Sequence, residues 1–263
     1  MFKEQFCKGC PRRCVAVCSQ GAVHAIEDGQ GLVSFDRAKC DLCQSRECIG
    51  VCYMRALQLS GRYYTVDEIM AILNRDRHYW GPKGGVSLSG GDPLMQGEFV
   101  LELLQRCNEA YINACIETTG NVPRRTLEAV APYVQWFFID VKHLDPERHI
   151  EGTCVDNAII LDNIRWLAGS GWGGRLLLRM PVIPGFNDSL ENAQATAAFM
   201  RSCGLSEINL LPFHRLGASK YRQLGLDYAF DDRPATKPEE LKPLAEVYEA
   251  QGLKCYVGSN TPF

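Results

Sequence analysis

From about residue 62 onward, short apolar runs alternate with stretches whose apolar positions recur at helical spacing. Residues 65–73 (TVDEIMAIL) read as a helix, with Thr65 as N-cap and Glu68 three residues on, the capping-box arrangement. Gly84 and Gly85 lead into a short strand at 86–89. Residues 96–110 repeat Phe99, Val100, Leu103 and Leu104 on one helical face. A strand at 112–117 precedes a helix at 123–130 opened by Pro123. Residues 134–141 (VQWFFIDV) lack polar alternation, the pattern of a strand covered on both faces. The remaining pattern predicts a helix at 157–169, a strand at 175–180, a helix at 189–201, a strand at 207–211, a helix at 237–251 and a strand at 254–257. Strand and helix therefore alternate at least five times, which predicts an α/β fold of parallel βαβ units, an open or closed barrel.

The first 60 residues follow no such rhythm. Eight of the chain's 13 cysteines lie there: Cys7, Cys10, Cys14, Cys18, Cys40, Cys43, Cys48 and Cys52. The other five are scattered singly and read as small buried apolar residues. A disulfide framework suits short secreted chains, whereas clustered thiolates in a reducing compartment hold metal. The quartets run C-x2-C-x3-C-x3-C and C-x2-C-x4-C-x3-C, each followed by a short apolar stretch. This is the repeat of a two-cluster ferredoxin, in which the fourth cysteine of each quartet serves the other cluster. On that rule Cys7, Cys10, Cys14 and Cys52 hold one [4Fe–4S] cluster, and Cys40, Cys43, Cys48 and Cys18 the other. Two four-thiolate zinc sites are the alternative, which explains the ligand count but not the crossed repeat. The organisation expected is a ferredoxin-like domain at 1–60 and an α/β barrel at 61–263.

Bulk properties narrow the function classes. With 263 residues, 46% of them hydrophobic, the chain can bury one large core and a small appendage. The net charge of −3 gives no basic field for nucleic acid. No apolar stretch is long enough to span a bilayer, and the first ten residues contain no signal-peptide apolar region, so the default reading is cytosolic.

In parallel α/β folds chemistry gathers at the C-terminal ends of strands. Five expected strand ends carry polar groups here. Ser89-Gly90-Gly91-Asp92-Pro93 follows the first, where two glycines permit close backbone approach and the acid can accept from an ammonium. Glu117-Thr118-Thr119-Gly120 follows the next. Asp140 and Lys142 share one face at the end of a buried strand, with Val141 opposite. Arg179 stands before Pro181, and His214 follows Leu211-Pro212-Phe213. Each has an ordinary structural reading as a turn, a solvated ion pair or a structural histidine; their convergence carries more weight than any member.

The segments SLSGGDPLMQGEFVLELLQ, CIETTG, FIDVKHLDPERH, RMPVIPGFNDS and LLPFHRLGASKYRQLG, in this order, resemble the glycyl-radical-enzyme activating enzymes. The cysteine-rich stretch ending GRYYTVDEIM is similar to the insert of the subfamily with two extra [4Fe–4S] clusters. The resemblance covers nearly the whole chain. It implies a partial (β/α)6-type radical S-adenosylmethionine (SAM) barrel and reductive cleavage of SAM to a 5′-deoxyadenosyl radical. That radical abstracts hydrogen from a glycine of a partner enzyme, with a flavodoxin or ferredoxin-type electron donor. By the same resemblance Gly90, Gly91 and Asp92 meet the SAM amino group, Lys142 and Arg179 its carboxylate, and His214 its nucleoside end. Glu117, Thr118 and Asp140 correspond to a monovalent-cation site. Asp92 stands where the usual motif has glutamate.

The resemblance also implies a CxxxCxxC triplet, whose cluster leaves one iron open for SAM, ahead of the ferredoxin insert. No such triplet is found: Cys10, Cys14 and Cys18 come near it, but Val17 stands where the third cysteine is needed. Taking those cysteines would leave the ferredoxin quartets short. The expectation is that the triplet and the first barrel strand are missing from this chain, which would leave the next strand with an open edge. A non-catalytic iron–sulfur electron-transfer or binding module that keeps a SAM pocket is the alternative reading.

Overall fold

The computed structural model describes residues 1–27, 32–81 and 84–259. Contacts divide the chain into two units, Met1–Tyr63 with His214–Pro234, and Tyr64–Phe213 with Ala235–Phe263. Residues 214–234, expected in the barrel, thus group with the cysteine-rich segment. The physical link is local: Gln223 O accepts from Phe2 N at 2.8 Å and from Arg37 Nη2 at 3.3 Å.

The first unit is an internal repeat built around its cysteines. Strands β1 (Val23–Ala25) and β2 (Val33–Phe35) pair antiparallel, with Val23 opposite Phe35. One-turn helices Arg13–Ala16 and Glu47–Gly50 carry Cys14 and Cys48 at matching positions. Each is preceded by a left-handed arginine, Arg12 at φ 52° and Arg46 at φ 48°. Each is followed by a tight turn, Gly21 N to Cys18 O at 3.0 Å and Arg55 N to Cys52 O at 2.9 Å. Cys7, Cys14, Val23, Val33, Ala56 and Leu57 form the buried centre.

The second unit is a parallel sheet of β3 (Gly85–Leu88), β4 (Asn113–Thr118), β5 (Trp136–Asp140), β6 (Arg175–Val182), β7 (Glu207–Pro212) and β8 (Lys254–Val257). The strands follow one another in chain order, so every crossover turns the same way. Alternation gives the sheet two faces. Ile116, Phe137, Ile139, Leu178, Ile208 and Leu210 face the helices and join Leu104, Leu127, Ile164, Leu167, Met200 and Tyr248 in the main core. Each such side chain contributes about 1.5–3 kcal/mol by leaving water.

The other face is layered. At its base Arg175 donates from Nε to Glu207 Oε1 at 2.8 Å and lies 4.3 Å over the Trp136 ring, while Tyr256 OH donates to Glu207 Oε2 at 2.7 Å. Phe138 and Leu177 fill the middle. Glu117, Asp140 and Arg179 stand above them, at the strand ends.

The Thr65 signal read from sequence is seen as a side-chain cap, and a second cap accompanies it at Ser189. Thr65 N donates to Glu68 Oε2 at 2.8 Å and Glu68 N to Thr65 Oγ1 at 3.2 Å; Ser189 caps helix Leu190–Ser202 through Asn192 N at 3.1 Å. Helices Pro146–Thr153 and Ala218–Leu224 are additional to the pattern expected. Among the described residues no helix is long and apolar enough to cross a membrane.

Candidate functional site

A polar cavity of about 160 Å³ opens at the C-terminal ends of β3 to β6. Its walls are Ser89, Gly90, Gly91, Glu117, Thr118, Thr119, Asp140 and Arg179. Register explains the gathering: Asp140 lies beside Arg179 across β5 and β6, and Thr118 beside Ile139 across β4 and β5. Gly90 sits at φ 111°, a conformation that side chains rarely adopt, so the turn over the cavity requires glycine there.

The cavity holds both signs of charge. Arg179 Nη1 pairs with Glu117 Oε2 at 3.0 Å, and Lys142 Nζ with Asp140 Oδ2 at 3.0 Å. All four side chains are partly exposed, so each pair contributes about 0–1 kcal/mol to stability, and exchanging a protein partner for a ligand partner is correspondingly cheap. Arg179 also lies 5.6 Å over the Phe138 ring, and its Nε is buried without a hydrogen-bond partner. A planar donor array with one unfilled N–H suits a carboxylate. Lys142 reaches the cavity through Asp140 and is not itself part of the wall.

Asp92 points into the turn. It accepts from Leu94 N at 3.1 Å, from Thr118 Oγ1 at 2.9 Å, and from Thr119 N and Oγ1 at 2.8 and 2.6 Å. His214 opens the 214–234 segment of the first unit; it is exposed, and its Nδ1 accepts from Leu216 N at 3.4 Å.

Buried asparagines, which sequence reasoning passed over, pin the loops around the cavity. Asn163 Nδ2 donates to Gly120 O and Val122 O at 2.9 and 2.8 Å. Asn157 Nδ2 holds His143 O and Leu144 O, both at 2.9 Å. Asn187 Nδ2 holds Lys142 O and Pro181 O, and its Oδ1 accepts from Ile183 N at 2.7 Å. A larger open cavity of about 800 Å³ lies between Leu94–Leu101 and Asn121–Ala129, and among the described residues no ion pair like those of the strand-end cavity lines it.

In the first unit the thiols fall into two groups. Burial pushes Cys14 up to about 11, reinforced by the nearby thiols of Cys10, Cys52 and Cys7. Cys48 is raised by burial and then by Cys18, Cys40 and Cys43. Those last four also line one cavity of about 80 Å³ together with Arg37 and Arg46. Backbone amides point at the sulfurs: Ala22 N to Cys18 Sγ at 3.2 Å, Leu57 N to Cys52 Sγ at 3.4 Å and Arg46 N to Cys43 Sγ at 3.4 Å. Four mutually repelling thiols with N–H donors fit a cationic iron–sulfur core, whose potential such hydrogen bonds tune. Among the described residues no three His, Cys, Asp or Glu side chains close on a single-ion site.

Residues 5–195 match the radical SAM superfamily. The chain is 43% identical over its whole length to the 4-hydroxyphenylacetate decarboxylase activating enzyme of Clostridium scatologenes, covering 84% of that protein. It is 40% identical over 98% of its length to the indoleacetate decarboxylase activating enzyme of Tractidigestivibacter scatoligenes, covering 82% of it. A solved domain of pyruvate-formate lyase-activating enzyme from Bacteroides vulgatus superposes with a TM-score of 0.56 at 29% identity, over 67% of this chain and 99% of that one. SuiB of Streptococcus suis bound to SAM superposes at 0.59 over 80% of this chain and 47% of that one; at 17% identity it shows the fold alone. By its superfamily match, and by identity to these relatives along its full length, the chain belongs to the glycyl-radical-enzyme activating enzymes of the radical SAM superfamily.

Proposed function

We propose that this chain activates a glycyl radical enzyme of the arylacetate decarboxylase class. The observation that carries this reading is the full-length identity to activators of two such decarboxylases; identity to the isethionate sulfite-lyase activating enzyme of Nitratidesulfovibrio vulgaris is 38% over 81% of the chain. In the reaction, SAM takes one electron and yields methionine and a 5′-deoxyadenosyl radical. The radical then takes a hydrogen atom from glycine, leaving 5′-deoxyadenosine and a glycyl radical.

The strand-end cavity is the SAM site in this reading. Arg179 and Lys142 receive the carboxylate, and the Gly90–Asp92 turn forms the ammonium end. Glu117, Thr118 and Asp140 offer oxygen ligands to a monovalent cation beside it. The cysteines of the first unit hold two [4Fe–4S] clusters in the crossed sets, Cys7, Cys10, Cys14 and Cys52, and Cys18, Cys40, Cys43 and Cys48. What supports this is the fall of the thiols into those two groups. The clusters supply one-electron transfer. A low-potential flavodoxin or ferredoxin-type carrier supplies the electron.

The test is anaerobic incubation of the reduced protein with SAM and an arylacetate decarboxylase of the glycyl radical type. A glycyl radical signal in electron paramagnetic resonance, with 5′-deoxyadenosine formed in step, is the expected result. A signal on an isethionate lyase and none on the decarboxylase would overturn the assignment.

A further inference from the structure

A carboxylate offers about four lone-pair positions to donors. Four donors converge on Asp92: Leu94 N at 3.1 Å, Thr118 Oγ1 at 2.9 Å from both oxygens, Thr119 N at 2.8 Å and Thr119 Oγ1 at 2.6 Å. All four belong to the protein, and they come from two places. Leu94 N opens the 3-10 helix Pro93–Gln96 immediately after the turn. The threonines come from the end of β4 and the residue after it. Thr118 is buried, and its Oγ1 also accepts from Gly120 N at 3.0 Å. The hydroxyl network therefore continues into the loop after β4, where Asn163 holds Gly120 O.

The Gly90–Gly91 turn is thus fastened at one end by the β3 ladder and at the other by Asp92. The second fastening matters because the turn has two successive glycines, the residues with the widest backbone freedom, and open space around both. Asp92 itself does not line the cavity.

We infer that Asp92 is a positioning residue: its carboxylate clamps the Gly90–Gly91 turn to the end of β4, and the ammonium of SAM is met by the cavity wall and not by Asp92. This rests on the reading of the cavity as the SAM site. The acid that marks the motif in sequence spends its acceptors on the scaffold. Its short side chain suits the task, ending within hydrogen-bond reach of Thr118 and Thr119.

The experiment compares equilibrium binding of SAM, and of the SAM analogue with hydrogen in place of the amino group, to the reconstituted protein. Asp92→Ala weakens SAM about tenfold, weakens the analogue as well, and speeds amide exchange at Thr119 and Gly120, as expected when a charged hydrogen-bond set that shapes the turn is lost. Thr119→Ala weakens SAM by a smaller factor, and the double variant is no worse than Asp92→Ala, because the two residues form one network. Asp92→Asn, of the same shape, keeps part of the set and falls between wild type and Asp92→Ala. If Asp92→Ala weakened SAM but left both the amino-less analogue and amide exchange at Thr119 and Gly120 untouched, the carboxylate would be touching the ammonium and the inference would be wrong. Should the wild-type protein bind neither ligand, the SAM reading of the cavity fails. The clamp is then decided by amide hydrogen exchange at Thr119 and Gly120, which Asp92→Asn accelerates if the clamp exists and leaves unchanged if it does not.

Discussion

Asn187 donates from Nδ2 to the carbonyl oxygen of Lys142 at 2.9 Å, and so ties the loop after β6 to the loop after β5. The same amide holds Pro181 O at 2.9 Å, and Asn187 is 1% exposed. One buried side chain thereby fixes the backbone that aims Lys142 at Asp140. Truncation to alanine leaves two carbonyls and the Ile183 N–H without this partner in a dry site. Asn187→Ala is expected to lose about 2–4 kcal/mol in denaturant unfolding, and to weaken SAM binding at temperatures where the protein stays folded. Wild-type stability together with wild-type SAM affinity would refute the bracing role.

The base of the sheet responds to acid. Arg175, hydrogen-bonded to Glu207, holds its carboxyl below the usual glutamate value of 4.5, with Tyr256 adding to the effect. A carboxyl depressed in the native state stabilises the fold above its unfolded value, and that stabilisation drains away as pH falls through the lower native value. Glu207→Gln is expected to lose about 1–2 kcal/mol at neutral pH, most of it from the charge-assisted bonds. The gap to wild type narrows once pH drops below about 4.5. Denaturant unfolding at a series of pH values reads this directly; a gap that stays constant with pH rules out the ionised pair as its source.

Without metal, the N-terminal thiols are expected to rank by reactivity. Hydrogen bonds from Arg46 N and Ser45 lower Cys43, which is partly exposed, while burial raises Cys14 to about 11 and also raises Cys7. Because the thiolate is the nucleophile, the metal-free protein is expected to be alkylated fastest at Cys43 and slowest at Cys14. Reconstitution with iron and sulfide should protect all eight N-terminal cysteines and leave exposed Cys154 reactive. Peptide mapping of iodoacetamide adducts measures both states, and persistent labelling of any of the eight in the loaded protein would remove that cysteine from the ligand set.

What could be read from the chain was what short-range chemistry writes there. The unbroken apolar run at 134–141 and the capping residue Thr65 carry their own structural reason, and each stands close to where it was expected. The paired charges at strand ends were legible because a buried strand ending in Asp140 and Lys142 has few other uses. Long-range choices were not. Nothing near Asp92 in sequence indicates that Thr118 and Thr119 fill its acceptors. Buried Asn157, Asn163 and Asn192 fall in expected helices and Asn187 in a loop, and nothing in sequence signals the backbone groups they hold. Helix Pro146–Thr153 does have the start signal Asp145-Pro146, but it buries only His149, so it shows no apolar stripe. The grouping of 214–234 with the cysteine-rich unit depends on contacts such as Gln223 with Phe2, which periodicity does not record.

Charge is unevenly divided, and this bears on the electron donor. Residues 1–63 and 214–234 hold 13 Lys and Arg against 9 Asp and Glu, whereas the rest of the chain holds 15 against 22. Around the first quartet stand Lys3, Lys8, Arg12 and Arg13 against Glu4. Arg12 is partly neutralised by Glu27 at 3.6 Å, but Lys8 and Arg13 are exposed, Phe6 is 45% exposed, and Lys3 Nζ lies 6.0 Å from its ring centre. A basic rim with an exposed aromatic favours an acidic one-electron carrier and speeds its encounter at low salt. Reduction of the proposed clusters by such a carrier, followed by bleaching of their visible absorption, is expected to slow steeply as ionic strength rises. The double variant Lys8→Glu with Arg13→Glu should slow it about tenfold or more at low salt and flatten the salt dependence. A small photoreduced flavin that needs no docking should reduce wild type and variant alike. A carrier rate that ignores both salt and charge reversal would place electron entry away from this rim.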